Sequence, residues 1–236
     1  SEGSRAADHR RDDESDVLMD GITSWWEFVG DRTDQIRELT FEHLSLVLQV
    51  IVAATVLSVA LGIAVRNHPT AKALALGIAG VFLTIPSLAL FTIFIPVVGL
   101  GFAPSFIALL MYAILPILRN TVTGLDEVDP AVIESAKGMG LNARQRLVKV
   151  QLPLAWPVIM TGIRVSALLT TGIAAIATLV GYGGLGEFIK NGLRRLGLPN
   201  SMEEVWTGVV FTILLALAID LVFSLIQRFT TSKGIR

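Results

Sequence analysis

Ala73 to Leu118 form a run of 46 residues without one charged side chain, and this run restricts the fold more than any other feature. A membrane-spanning helix needs about 20 apolar residues, because each residue advances the helix by about 1.5 Å. The run therefore predicts two spans joined by a short turn. Turn-forming residues lie where that turn is needed, namely Pro96, Gly99 and Gly101.

Three further apolar runs have the same character. Leu44–Val65 is 22 residues long without a charge, Trp156–Val180 is interrupted only by Arg164, and Val205–Gln227 only by Asp220. We predict five spans, at 44–65, 73–95, 104–120, 156–180 and 205–227. The runs do not alternate apolar and polar residues as β-barrel strands do. The predicted class is therefore an all-α integral membrane protein, since a soluble protein of 236 residues has too little polar surface to cover five such runs.

The remaining composition excludes several functions. Charged residues make up only 17% of the chain and the net charge is -1, so no global field attracts nucleic acid. The absence of cysteine excludes disulfides, thiol nucleophiles and cysteine metal sites. His9, His43 and His68 lie far apart and form no metal-binding pair, so we expect each at a surface or interface, and no metal site.

The regions outside the spans carry most of the charge. Residues 1–21 contain both charge signs without apolar periodicity, which predicts a disordered tail. Residues 22–43 contain Trp25 and Trp26, and they favour equally an amphipathic helix with indoles at headgroup level or a partly ordered leader. The transmembrane domain is expected over 44–229, followed by a tail over 230–236.

The distribution of positive charge predicts the orientation. Ten lysines and arginines lie in 66–72, 119–155 and 228–236, against five on the opposite side near the spans. The positive-inside rule therefore places the long central connection and the C-terminus in the cytoplasm and the N-terminus outside.

The central connection, 121–155, has the signals of two short helices. Asp129 and Pro130 are typical of a helix cap and first turn, and Gly140 suits the left-handed residue that ends a helix. Asn142 can cap a second helix that runs to Gln151. The connection is thus predicted to project from the membrane as two helices with a tight glycine corner.

The same connection resembles the EAA loop of ABC importer permeases. "ESAKGMG", nine residues and "VQLP" match the pattern E-A-A, three residues, G, nine residues, I-x-L-P. Ser135 replaces the first alanine and Val150 the isoleucine. The resemblance implies that this loop carries a coupling helix that docks into a groove of a cytoplasmic ATPase. The coupling residues that it implies are Glu134, Ser135, Ala136, Gly140, Leu152 and Pro153.

Longer segments resemble a narrower group. "LTIPSLALFTIFIPVVGLG", "PILRNTVTGLDEVDP" and "GIAAIATLVGYGGLGEFIKNGL" are similar to permeases that import glycine betaine, choline, carnitine and proline betaine. The resemblance implies the type I ABC importer permease fold and an osmoprotectant cargo. Five spans in a short chain also resemble methionine-type permeases, so a methionine or other amino-acid importer is the alternative. A membrane scaffold or channel without ATP coupling is a further alternative.

The resemblance also implies the partners. No G-x-x-x-x-G-K-[ST] sequence occurs, so we expect a transporter subunit rather than an enzyme, with no cofactor of its own and ATP–Mg bound by a partner. The expected partners are a cytoplasmic ABC ATPase dimer, a second permease chain, identical or paralogous, an extracytoplasmic substrate-binding protein and membrane lipid. The expected location is the inner membrane of a bacterial or archaeal cell.

Candidates for the pathway or gate come from unusual residues inside the spans. Arg164 and Asp220 are ionisable, lie at similar predicted depths and are able to pair. "GYGGLGEF", 181–188, favours equally a kinked or re-entrant segment and a plain exit turn. Pro86 predicts a kink in the second span. The candidates are Pro86, Arg164, Thr178, Tyr182, Gly183, Gly184 and Asp220.

Overall fold

The computed structural model describes residues 21–230, and every regular element within them is helical. A first helix, α1, covers residues 21–31. The other helices are α2 (Thr33–Val65), α3 (Pro69–Thr84), α4 (Ser87–Val98), α5 (Phe102–Asp126), α6 (Pro130–Gly138), α7 (Ala143–Arg146), α8 (Leu152–Ala174), α9 (Gly186–Arg194) and α10 (Ser201–Thr230). Among the described residues, four helical segments are long and apolar enough to span a membrane, or five if the bent pair α3–α4 counts as one.

Three long helices form the core of the bundle. α5 packs against α2 on one side and α8 on the other, and α10 packs against α8 and α9. The largest fully buried side chains include Leu46 and Val50 on α2, Leu109 and Ile117 on α5, and Ile159 and Met160 on α8. Small residues allow the close approach: a β-carbon on Gly162 of α8 would lie 2.7 Å from the Pro116 carbonyl oxygen of α5.

The two ends of the bundle are distinct. We call the end at which α6 lies the loop end, where Trp156 Nε1 of α8 donates a hydrogen bond to Thr230 Oγ1 of α10 at 2.8 Å. We call the opposite end the far end, where Gly101 N, before α5, donates to Val180 O at 2.8 Å. α8 therefore runs from the loop end to the far end, and α5 and α10 run back.

The predicted single span over 73–95 is two helices. α3 and α4 are bent by 98° at the break between them, so the expected kink at Pro86 is a full interruption. Pro86 has no N–H to donate, and it holds Ile85 in an extended conformation with φ -74° and ψ 131°. α3 begins beside the loop end of α5, where Lys72 Nζ lies 2.7 Å from Asp126 Oδ2.

The N-terminal boundaries also differ from those expected. α2 begins at Thr33 and not at residue 44, so the second half of the predicted interfacial segment belongs to the first long helix. Residues 21–31 are helical, and Trp25 Nε1 donates to Thr207 Oγ1 of α10 at 3.0 Å. Of the predicted tails, only Gly21 and Thr230 are among the described residues, and both are helical.

Candidate functional site

Helix α6 begins as its sequence predicts. The Asp129 carboxylate accepts a hydrogen bond from Ala131 N at 2.8 Å, and Pro130 occupies the first turn, where an N–H would have no partner. The helix predicted between the Asp129–Pro130 start and the glycine corner is confirmed over Pro130–Gly138.

The helix ends at the predicted glycine corner. Gly140 has φ +81°, in the left-handed region that glycine adopts without cost. Gly140 N donates to Lys137 O at 2.9 Å and Leu141 N to Ala136 O at 3.2 Å. These two bonds form the Schellman arrangement, which satisfies the last carbonyls of α6 and turns the chain sharply.

The second predicted helix is correct at its start and wrong at its end. The Asn142 side chain accepts from Gln145 N at 2.9 Å, and Gln145 Oε1 accepts from Asn142 N at 2.9 Å, so a full capping box begins α7. The helical path that begins with α7 does not end at Gln151 as predicted. A π-helical turn, Leu147–Gln151, carries it directly into α8. Pro153 cannot donate a backbone hydrogen bond in the first turn of α8, which favours this local widening.

The side chains of α6 separate into a buried and an exposed set. Ala136 is 1% exposed, so its side chain packs on the inner side of the corner. Glu134 is exposed and lies 3.7 Å from Lys137 Nζ, and Ser135 Oγ donates to Ala131 O at 2.8 Å. Leu152 is half-buried at the start of α8, and Pro153 is exposed beside it.

Apolar side chains are exposed around the same corner. Val132, Met139 and Val148 all belong to the chain's exposed large hydrophobic residues. Exposed apolar residues at a tight, well-capped corner are typical of a surface that another protein covers. The loop-end surface formed by α6, the glycine corner and the π-helical turn contains residues that the sequence predicts to couple to an ATPase, and it is named the coupling surface after that prediction.

Arg164 and Asp220 form the pair that the sequence suggests. Arg164 Nε donates to Asp220 Oδ1 and Nη2 to Oδ2, both at 3.0 Å, which is a bidentate arrangement between α8 and α10. Arg164 Nη1 also donates to Gln227 Oε1 at 3.3 Å, and Gln227 Nε2 donates to Pro157 O at 3.1 Å. The network joins α8 to the loop-end half of α10.

The pair is remote from the other pathway candidates. Arg164 lies ten residues before the end of α8, or about 15 Å from it. Tyr182, Gly183 and Gly184 lie beyond that end, at the far end of the bundle. The structure therefore does not bring all seven candidates into one site.

The glycine segment interrupts a helix and is not a plain exit turn. α8 continues as a 3₁₀ helix, Ala175–Val180, and α9 begins at Gly186 after the turn. α9 then packs antiparallel to α10, since β-carbons on Gly208 and Gly192 would meet Ile189 and Val205. The glycine segment therefore lies beside α10 at a point about seven residues after α10 begins, which is roughly 10 Å deeper in the bundle than that beginning. This depth favours the kinked or re-entrant segment.

A carboxylate from α2 is bound in the glycine segment. Gly184 N donates to Glu42 Oε2 at 3.0 Å, and Tyr182 Oη donates to the Glu42 carbonyl at 3.2 Å. Gly184 has φ +97°, and a β-carbon on Gly183 would overlap Glu42 Oε2. The approach of Glu42 therefore requires glycine at 183, and the left-handed backbone favours glycine at 184.

The residue after Glu42 fixes the same region. His43 is 2% exposed, and its Nε2 donates to Thr171 O of α8 at 3.0 Å. The expectation that His43 lies at a surface or interface is wrong. Glu42 and His43 together attach α2 to both sides of the interrupted helix.

Thr178 lies beside a cavity next to the glycine segment. The cavity has a volume of about 480 Å³ and is also lined by Leu100, Lys190 and Arg194. Lys190 Nζ donates to Thr178 O at 3.3 Å and lies 3.8 Å from Glu187 Oε1. The cavity is therefore positively charged on its α9 side.

The break at Pro86 has its own partner. The Ile85 carbonyl, which cannot continue a helix across the break, accepts a hydrogen bond from the Tyr112 hydroxyl of α5. Tyr112 is 3% exposed. α4 also packs against the 3₁₀ helix Ala175–Val180, so the two interrupted helices meet at the far end of the bundle.

Sequence reasoning missed Glu42, His43, Lys190 and Tyr112. Glu42 and His43 directly precede the charge-free run at Leu44, and two adjacent polar residues at that border were the available signal. Tyr112 gave no signal, because it is one of many apolar or aromatic residues in its span.

Comparison with known proteins agrees with this architecture. Residues 42–232 match the family described as binding-protein-dependent transport system inner membrane component. The chain is 36% identical over 210 residues to the choline transport system permease protein OpuBB of Bacillus subtilis, covering 89% of this chain and 95% of that protein. It is 37% identical over 211 residues to the osmoprotectant import permease protein OsmW of Salmonella typhimurium, covering 87% of this chain and 96% of that protein.

A solved structure supports the fold independently. The chain superposes on a chain of the MetNI methionine ABC transporter in an inward-facing conformation with a TM-score of 0.72, covering 84% of this chain and 96% of that chain. The sequence identity is 23%, so this likeness shows the fold alone. Because the family match extends over most of the chain and relatives above 30% identity are covered almost completely, the chain belongs to the binding-protein-dependent inner-membrane permeases of ABC importers.

Proposed function

We propose that this permease imports a compatible solute with a quaternary ammonium group, of the glycine betaine, choline and carnitine class. The observation that carries the proposal is the similarity to permeases named for these solutes, including the glycine betaine/carnitine/choline permease OpuCB of Bacillus subtilis, 39% identical over 197 residues. Methionine import is the second candidate. It is supported only by the shared fold of the methionine transporter.

The motor is a separate ATPase dimer that binds ATP–Mg and contacts the coupling surface. Exposed Met139, Val132 and Val148 provide the apolar contact, and the capped corner at Gly140 provides a rigid shape. ATP changes the equilibrium between the states of the permease through the motor. The size of that change equals the difference in free energy with which the motor binds the two states. The rigid corner transmits that difference to α8 without a flexible joint, because α7 and α8 are continuous.

The loop end faces the cytoplasm and the far end faces the binding protein. This orientation follows from the excess of lysine and arginine at the loop end. The pathway passes the far-end junction of the two interrupted helices, since non-helical backbone inside a membrane is tolerated where it is buried or lines a cavity. The glycine segment, held by Glu42, forms the outer gate there.

A second permease chain completes the pathway. α4 is exposed along most of its length, including Ile93 and Val97. It also begins at the backbone break at Pro86. A single bundle leaves this helix uncovered on one side. A second copy or a paralogue of this chain, facing α4, would enclose the path.

Uptake by the reconstituted complex tests the cargo. The permease, its ATPase and its binding protein are placed in proteoliposomes, and labelled choline, glycine betaine, carnitine and methionine are supplied in parallel. We expect ATP-dependent uptake of at least one quaternary ammonium solute and none of methionine. Methionine uptake without choline, betaine or carnitine uptake would overturn the cargo, while leaving family membership intact.

A further inference from the structure

A second cavity lies at the far end, between α1 and the first turns of α10. Its volume is about 410 Å³, and its walls include Trp25 of α1 and Met202, Glu203 and Trp206 of α10. It is separate from the cavity beside Thr178, with which it shares no lining residue. None of the pathway candidates lines it.

The walls of this cavity are held in place by two hydrogen bonds between α1 and α10. Trp25 Nε1 donates to Thr207 Oγ1 at 3.0 Å, and Ser24 Oγ donates to Glu203 Oε1 at 3.1 Å. Trp25 also contacts Trp26 edge to face, with 5.0 Å between ring centroids. One indole and the carboxylate are thus oriented before any ligand arrives, which lowers the entropic cost of binding.

The chemistry of the walls selects a particular cation. A quaternary ammonium group has no N–H to donate, so it is bound by aromatic faces and a nearby negative charge. The cavity offers two indoles, a thioether and one carboxylate, and no basic side chain is among its described lining residues. A metal ion requires a shell of oxygen ligands, which these apolar walls do not supply. An anion would be repelled by Glu203.

We propose that this cavity binds a quaternary ammonium head group. The inference rests on the cavity and not on the proposed cargo, so the two can fail separately. Two sources carry this chemistry: the free solute that arrives at the far end, and the choline head group of a lipid. In either case the site is distinct from the translocation pathway.

Binding to the purified permease–ATPase complex in maltoside detergent tests the proposal, without binding protein or ATP. Choline is titrated by calorimetry beside 3,3-dimethylbutanol, a neutral compound of the same shape. We expect choline to bind at least tenfold more tightly than the neutral compound. Equal affinities would show a merely apolar cavity and would overturn the proposal.

Three variants locate the site. Trp206→Leu removes an aromatic wall, and Glu203→Gln removes the charge while keeping an oxygen that can accept from Ser24. Each should weaken choline binding at least fivefold. Phe229→Leu is the control, since Phe229 is 83% exposed, lies at the loop end and does not line the cavity, and it should bind choline as the parent does. Unchanged affinity in both Trp206→Leu and Glu203→Gln would overturn the assignment.

Nanodiscs distinguish the two sources. The comparison is made at a salt concentration that screens the anionic phosphatidylglycerol surface. If the natural occupant is a lipid head group, phosphatidylcholine nanodiscs will then bind added choline more weakly than phosphatidylglycerol nanodiscs. If it is the free solute, the two affinities will agree. Either result supports a quaternary ammonium site, and no choline binding in both lipids would overturn it.

Discussion

Glu42 Oε2 accepts a hydrogen bond from Gly184 N at 3.0 Å, joining residues 142 positions apart in the chain. The bond connects the first long helix to the interruption between α8 and α9. A carboxylate that accepts a backbone N–H in a partly buried site contributes about 1.5–3 kcal/mol. The contact is therefore strong enough to influence which state of the proposed outer gate is populated.

Gly183→Ala should disrupt this contact. The backbone of Gly183 is not left-handed, and the three atoms nearest to the added methyl group all belong to the Glu42 carboxylate, which it would overlap. We expect binding-protein-dependent uptake to fall about tenfold, equivalent to about 1.4 kcal/mol. Gly172→Ala is the control, because nothing lies within 4 Å of the added carbon there, and its uptake should stay within about twofold of the parent.

A double variant shows whether Glu42 is the cause. In the Glu42→Ala background the obstacle is gone, so adding Gly183→Ala should change uptake little. Equal losses from Gly183→Ala in both backgrounds would contradict the assigned contact, since independent positions have additive effects.

Gly140→Ala should weaken coupling to the motor. The left-handed conformation at φ +81° costs a non-glycine residue about 1–2 kcal/mol, so the corner would relax away from its present shape. We expect ATPase activity stimulated by loaded binding protein to fall several-fold. Gly140→Asn should retain more of it, because asparagine tolerates this conformation better than alanine.

Gly77→Ala is the control for the corner. Gly77 is helical, lies in α3 outside the coupling surface, and has nothing within 4 Å of a β-carbon added there. Alanine is a better helix former than glycine by about 0.5–1 kcal/mol. Stimulated ATPase activity should therefore be preserved. Equal losses in Gly77→Ala and Gly140→Ala would exclude a specific role for the corner conformation.

The Arg164–Asp220 pair should stabilise the contact between α8 and α10. Breaking a fully buried pair costs about 3–5 kcal/mol, and the cost here is reduced to about 1–3 kcal/mol because the side chains are 31% and 29% exposed. Asp220→Ala should lower the thermal midpoint of the detergent-purified protein. Arg164→Met combined with Asp220→Leu should recover most of that loss, because neither charge is left unpaired.

The same variants separate a structural pair from a pathway residue. If the double variant is as stable as the parent and still transports, the pair is structural. Loss of uptake in a stable double variant would instead assign the pair to the pathway.

Local chemistry explains why the coupling surface was predictable from sequence. Asp129, Gly140 and Asn142 each act on backbone groups within three residues, so their identities determine the caps and the corner. Four of the five spans were predictable for a similar reason, since the length of an apolar run sets the length of a membrane helix. The remaining one, over 73–95, is two helices. The continuation of α7 into α8 was not predictable, because a proline-linked join allows either a break or a widened turn.

Long-range partners explain why the far end was not predictable. A proline in a span is compatible with a modest kink or with a full break, and the hydroxyl that satisfies the broken backbone comes from Tyr112, 27 residues away. Glycine density at 181–184 indicated a close approach, but nothing local identified Glu42 as the group that approaches.

Tyr112→Phe tests whether the break at Pro86 depends on that hydroxyl. The ring packing is retained, but the Ile85 carbonyl loses its donor, and Tyr112 is too deeply buried for water to replace it readily. An unsatisfied buried carbonyl costs about 1–3 kcal/mol, so the thermal midpoint should fall and uptake should decrease with it. Ser166→Ala is the control, because its hydroxyl donates at 2.9 Å to Ala113 O, a carbonyl inside α5 that keeps its helical partner. A loss of stability as large in Ser166→Ala as in Tyr112→Phe would contradict a special role for the break.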